Sequence, residues 1–299
     1  MKNQYEVIII GGSYAGLSAA MALGRASRKV LVIDSGKPCN RQTPHSHNFL
    51  TRDGETPAAL ASIAKEQVLN YPSVTFITDK ATDAKKTDVG FEIKTESEEL
   101  FICEKLLLAA GIKDIMPDID GFADCWGISV IHCPYCHGYE VKGQKTAIFA
   151  NGDAAYHYSM LLQQWTKELT IFTNGKANFT EEQMTKFEKH NISVVENPIA
   201  KLEHKQGQLE CIVLENGERY DFSVMYAKPE FKQHCDITEK MNLLNDNGYV
   251  KVDEMQRTIA EGIYAVGDCT TPMRAVAAAV ASGTMAGAVI NNDMAAASF

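Results

Sequence analysis

Residues 6–16 read EVIIIGGSYAG. Glu6–Ile10 is a short buried strand, and it breaks into Gly11-Gly12-Ser13-Tyr14-Ala15-Gly16, a turn of mostly small residues. Leu17–Ser27 continues as a helix with small residues toward a sheet, and Lys29–Ile33 is the next strand, ending at Asp34. This order makes a βαβ unit. The acid at the end of the second strand completes the context of a dinucleotide fingerprint. Gly11 makes the tight turn, Gly16 lets helix and strand approach, and the helix N-terminus receives a pyrophosphate. Asp34 accepts from ribose hydroxyls. Ser13 stands where the fingerprint has its middle glycine, and its small hydroxyl side chain is compatible with a phosphate. A glycine-rich turn in an unrelated α/β protein is the alternative reading.

Outward from this unit, Ser35–Glu55 is a polar loop and Pro57–Asn70 is helical. Val74–Thr78, Val89–Thr95 and Glu99–Phe101 alternate like antiparallel strands, and Lys105–Ala109 is a buried strand that ends at Gly111. Ile112–Gly121 reads as a linker. A second βαβ pattern follows, with strand Lys145–Ala150, helix Ala154–Trp165 and strand Leu169–Phe172. Glu181–His190 is a helix, Ile192–Glu196 a strand, and an Asn-Gly turn joins Leu209–Val213 to Arg219–Val224. Tyr249–Val252 and Ile263–Val266 are strands, and a long helix starts near Arg274.

A chain of 299 residues, 45% hydrophobic and 22% charged, has ordinary globular composition. Its net charge of -9 disfavours nucleic acid and anionic membrane as partners. No apolar run is long enough to span a bilayer, and the Ala-rich stretch 275–290 is interrupted by Ser282, Gly283, Thr284 and Gly287. The chain runs from its first residues into a strand without a cationic leader, so a cytoplasmic location is expected.

Of eight cysteines only Cys133 and Cys136 are close, in HCPYCHGYE, residues 132–140. In a reducing compartment such a pair is catalytic, redox-active or metal-binding. Zinc needs four ligands, and His132 and His137 adjoin the cysteines too closely to wrap one tetrahedral ion easily, so no metal is expected. A dithiol/disulfide couple is the main reading. Half a zinc site and inert structural thiols are the alternatives.

Late in the chain, TIAEGIYAVGDCT places Gly267-Asp268 after an apolar strand and before a helix. This resembles the second FAD motif of flavoproteins with two dinucleotide domains, and LLAAG, residues 107–111, resembles their strand-end motif. Together with Cys-x-x-Cys just before a strand–turn–helix, the whole chain resembles the low-molecular-weight thioredoxin reductase family. The resemblance implies an α/β fold of two Rossmann-like dinucleotide-binding domains, each three-layered (ββα), with the FAD domain split by the other. FAD then belongs to residues 1–116 and 248–299, and the inserted NAD(P)H-type domain with the cysteines to 117–247. By the same resemblance, Cys136 lies against the flavin and Cys133 meets the substrate disulfide. His137 takes the place of the family's proton-donating acid, or is a packing residue. Arg274-Ala275-Val276 resembles the segment over the flavin pyrimidine, and Asp79-Lys80-Ala81 the strand end that meets adenine. Ser35, Arg41, His47, Ala110 and Gly111 complete the implied cofactor set, beside Gly11–Gly16, Asp34, Gly267 and Asp268. A homodimer is implied as well.

HCPYCHGYE and the loop SGKPCNRQTPHSHNFLTRDG, residues 35–54, are similar to the dithiol oxidase branch, whose members close disulfides in natural products and pass electrons to dioxygen. In thioredoxin reductases the inserted domain has a turn like Gly-Gly-Gly-Asp-Ser-Ala. Here the run is Ala150-Asn151-Gly152-Asp153-Ala154-Ala155. The basic cluster for the NADPH 2'-phosphate is replaced by Phe172-Thr173-Asn174-Gly175-Lys176, and Tyr226-Ala227-Lys228-Pro229 replaces a glycine-containing turn. A phosphate clamp needs a guanidinium or several amines. The sequence therefore predicts an FAD-dependent thiol–disulfide oxidoreductase without a working NADPH site. Its substrate is a small dithiol or disulfide, or a thioredoxin-like protein, and its other partner is dioxygen or a ferredoxin-like carrier. An NADPH-dependent thioredoxin reductase and a flavin-bearing sensor without turnover are the competing readings.

Overall fold

The computed structural model describes residues 3–299. Met1 and Lys2, the start of the expected FAD domain, lie outside the described residues. The chain divides into two compact units. The first comprises the chain up to Arg41, with Phe49–Lys113 and Phe231–Phe299, and the second comprises Gln42–Asn48 and Asp114–Glu230.

In the first unit, β1 (Gln4–Ile10), α1 (Tyr14–Arg25) and β2 (Val30–Asp34) form the βαβ unit read from the sequence. Then come α2 (Pro57–Leu69), β3 (Val74–Thr78), β4 (Ala81–Thr87), β5 (Gly90–Thr95), β6 (Leu100–Leu108) and β7 (Ile112–Asp114). The main sheet has the order β3-β2-β1-β6-β5-β4. β1, β2, β3 and the C-terminal half of β6 run parallel, while β4, β5 and the start of β6 make an antiparallel meander. Two expectations change. Val74–Thr78 pairs parallel with β2, because alternation reports burial and not strand direction. The strands expected at Glu99–Phe101 and Lys105–Ala109 are parts of one strand, β6, since Ile102 and Cys103 between them carry the ladder through.

The second unit holds α3 (Phe122–Cys125), β8 (Val130–Ile131), α4 (Pro134–His137), β9 (Thr146–Phe149), α5 (Gly152–Leu162), β10 (Leu169–Phe172), α6 (Glu181–Lys189) and β11 (Ser193–Val195). β12 (Ile199–Lys205), β13 (Gln208–Leu214), β14 (Arg219–Asp221) and β15 (Val224–Ala227) follow. A parallel sheet of order β11-β10-β9-β15-β8 is accompanied by the antiparallel sheet β12-β13-β14. Strand alternation sorts the side chains to two faces. Ala147, Phe172 and Met225 pack with Leu202 and Ile212, whereas Ile148, Ile171 and Tyr226 pack with Tyr158 and Leu162 of α5 and with Phe187 of α6.

The chain returns to the first unit through β16 (Phe231–Gln233), α7 (Ile237–Lys240), β17 (Ile263–Ala265) and the long α8 (Val276–Ser298). Residues 231–247, expected in the insert, pack with the first unit instead. Cys235, Ile237 and Leu243 are buried with Ile8, Ile10 and Leu106, and the Gln233 side chain donates to the Gly248 carbonyl at 2.7 Å. Tyr249–Val252, expected as a strand, makes only isolated bridges. On the other face of the main sheet, Val7 and Ile9 pack with α1 and α8. α8 is held at its far end by Asp293, which accepts from Arg257 at 2.8 and 2.9 Å and from the Tyr264 hydroxyl at 2.7 Å. Among the described residues, no helix is long and apolar enough to cross a membrane.

Candidate functional site

The first unit builds a cradle at the end of β1. Gly11 has φ +106°, and a Cβ there would lie 2.3 Å from the Ala109 carbonyl oxygen, so the turn needs glycine on both conformational and steric grounds. Gly16 backs onto Gly11 with similar closeness, its Cβ position 1.9 Å from the Gly11 carbonyl oxygen. The Asp34 carboxylate accepts from the Gly12 amide at 2.6 Å and the Gly36 amide at 2.7 Å. These bonds hold it at the mouth of the turn, with half-buried Ser35 beside it. Ser13 caps α1 without a side-chain bond of its own to the helix. The Tyr14 hydroxyl accepts from Asn40 at 3.5 Å.

The other motifs converge on this turn. Ala110 follows the strand end that touches Gly11, and Gly267 places its Cβ position 3.0 Å from the Ala15 side chain. Gly267 opens a short 3-10 turn that contains Asp268, and Arg274 Nε lies 3.8 Å from Asp268 Oδ2. Ala275 is the N-cap of α8 and Val276 its first residue. Ala81 is buried at the start of β4, just after the Asp79 amide donates to the Asp34 carbonyl at 2.9 Å. One participant is not legible in the sequence. The His234 amide donates to the Gly111 carbonyl at 3.2 Å. Its imidazole is held below the ordinary value by burial and by the cations Lys80, Lys113 and Arg41, against the pull of Asp34.

In the second unit, Cys133 and Cys136 form a disulfide, with Cα atoms 5.2 Å apart. Cys133 is the N-cap of α4 and Pro134 its first residue, a position that needs no amide hydrogen. The Cys136 amide donates to Cys133 Sγ at 3.1 Å. Gly138 closes the turn, because a Cβ there would meet the Pro134 carbonyl at 2.4 Å and the Trp165 indole at 2.9 Å. Tyr135 is 65% exposed and stands edge-on to Trp165, so the pair is flanked by an accessible aromatic. Four of the other thiols, all four buried, differ. Burial pushes Cys103 and Cys269 up to about 12, and raises Cys125 and Cys235, so these stay protonated and inert.

His47 is not in the first unit with the other expected cofactor residues. The structure places it in the second, where its Nε2 lies 3.5 Å from Glu140 Oε1. The segment around it is held by Gln42, which donates to the Ala123 carbonyl at 3.3 Å. Burial and His47 lower the His137 imidazole from its ordinary value, and Glu140 partly opposes them. His137 is therefore neutral near pH 7 and able to accept a proton. Arg41 remains with the first unit, donating to the Pro38 carbonyl at 3.3 Å.

At the end of β9, the Asn151 side chain occupies the turn. Its Oδ1 accepts from the Gly152 and Asn178 amides, each at 2.8 Å, and its Nδ2 donates to the Lys176 carbonyl at 2.9 Å. At the end of β10, the Thr173 hydroxyl donates to the Gly175 carbonyl at 2.6 Å, and Asn174 Oδ1 accepts from the Ile199 amide at 2.8 Å.

The family model described as pyridine nucleotide-disulphide oxidoreductase matches residues 5–283. The chain belongs to this family. It is 30% identical to the thioredoxin reductase sirT of Leptosphaeria maculans, over 96% of this chain and 93% of that protein. Among solved structures, it is similar to TrxB of Bacillus anthracis, provisionally assigned as a thioredoxin reductase, with TM-score 0.94 and 31% identity over 99% of this chain and 100% of the other. An oxidoreductase from Agrobacterium tumefaciens gives TM-score 0.91 and 34% identity, over 98% of this chain and 99% of the other. As a member of this family, the chain is a thioredoxin reductase-like, flavin-dependent disulfide oxidoreductase. Its cofactor is FAD and its redox-active pair is Cys133–Cys136. The cradle fits that cofactor. Its glycines leave room where a Cβ would clash, its amides end at a helix N-terminus suited to a pyrophosphate, and Asp34 is a ready acceptor for ribose hydroxyls. Bound there, FAD supplies the two-electron chemistry that a disulfide needs.

Proposed function

We propose that the enzyme exchanges electrons between FAD and a dithiol or disulfide at Cys133 and Cys136, and that its second unit holds no working nicotinamide site. The first unit is read as the FAD domain, with Gly11–Gly16, Asp34, Ser35, Arg41, Ala81, Ala110, Gly111, Gly267, Asp268 and Arg274–Val276 around the cofactor. Cys133 is read as the interchange sulfur and Cys136 as the one toward the flavin. In the oxidising direction a substrate thiolate attacks Cys133 Sγ, the Cys133–Cys136 bond breaks, and Cys136 leaves as a thiolate. The second substrate thiol gives up its proton to a base, for which His137 is placed by sequence. The resulting thiolate attacks the substrate sulfur of the mixed disulfide, the bond to Cys133 Sγ breaks, Cys133 leaves as a thiolate, and the substrate departs with its new disulfide. The two electrons remain on the cysteine pair for transfer to FAD.

The observation that supports a lost nicotinamide site is the loop after β10. A 2'-phosphate needs a guanidinium or several amines there. This loop offers Lys176 alone, while Thr173 and Asn174 are bonded internally. The second reading is an NADPH-dependent thioredoxin-disulfide reductase, acting on a thioredoxin-like protein. Kinship with a protein named thioredoxin reductase supports it more strongly than it supports the first. Anaerobic stopped-flow with NADPH, NADH and dithiothreitol as separate reductants decides between them. We expect rapid flavin bleaching by the dithiol, slow bleaching by NADPH, and reoxidation by air. Fast, saturable bleaching by micromolar NADPH overturns the proposal and restores the reductase. Rapid dithiol bleaching without reoxidation by air discards dioxygen in favour of a ferredoxin-like carrier.

A further inference from the structure

A dinucleotide domain receives its pyrophosphate on the free amides of the turn that opens its first helix. In the second unit that turn lies between β9 and α5, and one side chain has taken its place. Asn151 Oδ1 accepts from the Gly152 amide at 2.8 Å, as a phosphate oxygen would. The same oxygen accepts from the Asn178 amide at 2.8 Å, and Nδ2 donates to the Lys176 carbonyl at 2.9 Å. The carboxamide therefore ties residues 176–178 down across the turn. A Cβ placed on Gly152 would already be 3.5 Å from the Asn178 carbonyl oxygen, so the loop lies directly against the turn. A second tie reinforces the closure, because Gln183 Nε2 of α6 donates to Asp153 Oδ1 in the first turn of α5 at 2.9 Å.

We propose that Asn151 is a built-in lock, a neutral stand-in for a pyrophosphate that excludes dinucleotides from the second unit. The inference rests on the reading that this unit takes no nicotinamide, and it assigns that loss to one residue. An anion cannot reach the Gly152 amide until the carboxamide leaves it. When it leaves, the Gly152 amide is freed, and the loop loses its two hydrogen bonds to the carboxamide and is released from the turn. The ligand class admitted is then a dinucleotide diphosphate lacking a 2'-phosphate, since the loop after β10 has no guanidinium to hold one.

The test uses the flavin-loaded protein, whose first cradle is filled, and ADP-ribose, which carries the pyrophosphate but no redox group. Binding is measured by isothermal titration calorimetry. The wild type is expected to give no saturable heat. Asn151→Gly and Asn151→Ala are expected to bind about tenfold or more tightly than the wild type. Asn151→Asp keeps the acceptor and adds a charge that repels phosphate, so it stays closed. Circular dichroism and flavin content establish that each variant is folded, and the alanine variant decides the matter if the glycine variant is not. Folded glycine and alanine variants that bind no better than wild type overturn the lock and leave the absence of a nicotinamide site standing. So does a tightly binding aspartate variant. Saturable binding by the wild type overturns that absence itself, and the lock with it.

Discussion

The two sulfurs of the disulfide do not have the same surroundings. The Cys136 amide points at Cys133 Sγ, 3.1 Å away, and an amide hydrogen on a sulfur favours the thiolate. We expect iodoacetamide at neutral pH to modify Cys133 about tenfold or more faster than Cys136 in the reduced protein, read by mass spectrometry. Faster labelling of Cys136 reverses the roles. His137 carries a different prediction. Burial and His47 depress its folded value below that of the unfolded chain. Between the two values the unfolded chain binds more protons, so this contribution to stability is present above about pH 6.5 and is lost as pH falls through the folded value. Thermal midpoints measured from pH 7 to pH 5 should fall more steeply for the wild type than for His137→Asn. Parallel slopes sink the idea. The pair itself is legible in the sequence because its spacing is local. The nearness of His47 to Glu140 is not, since nothing at residue 47 points to a partner so far along the chain.

The small residues of α8 are explained at the level of helix against helix. A Cβ on Gly283 would lie 2.1 Å from the Ala15 carbonyl oxygen, and one on Gly287 would lie 2.8 Å from that of Ala19. Ser18 of α1 completes the contact, bonding to the Val280 carbonyl at 2.8 Å and the Thr284 hydroxyl at 2.7 Å. Glycine is thus required by the approach of α1, and this face of α8 is core. Gly283→Ala forces the helices apart at the first turn of α1, which belongs to the FAD cradle. We expect a loss of about 1–3 kcal/mol in stability and a lower flavin content after purification, checked by thermal melting and absorbance. Full retention of both shows that the helices adjust freely. Elements with strong apolar patterns, such as β1, β2, β9 and β10, are readable from the sequence. β4 and β12 are not. Ala81–Thr87 reads ATDAKKT and Ile199–Lys205 reads IAKLEHK. Each is polar enough to pass for loop, and is a strand because of the antiparallel partner beside it.

For the whole molecule, two glycine turns each after an apolar strand are enough to announce two Rossmann-like units, because that order of elements has few physical solutions. The boundaries are harder. Residues 231–247 carry no marker of the unit they join, and their place is set by burial of Cys235, Ile237 and Leu243 among residues of β1, β2 and β6, more than a hundred positions earlier. Gln42–Asn48 is likewise assigned by contacts and not by composition. The way the second unit is attached has a further meaning. The Ile115 amide donates to the Glu230 carbonyl at 2.7 Å, and just outside them β7 and β16 pair with each other. That unit's main segment therefore begins and ends at one spot. A stretch of coding sequence delimited there is a cassette. It can be inherited, exchanged or eroded as one parcel while the host sheet keeps its register, so the two halves of such an enzyme are free to age at different rates.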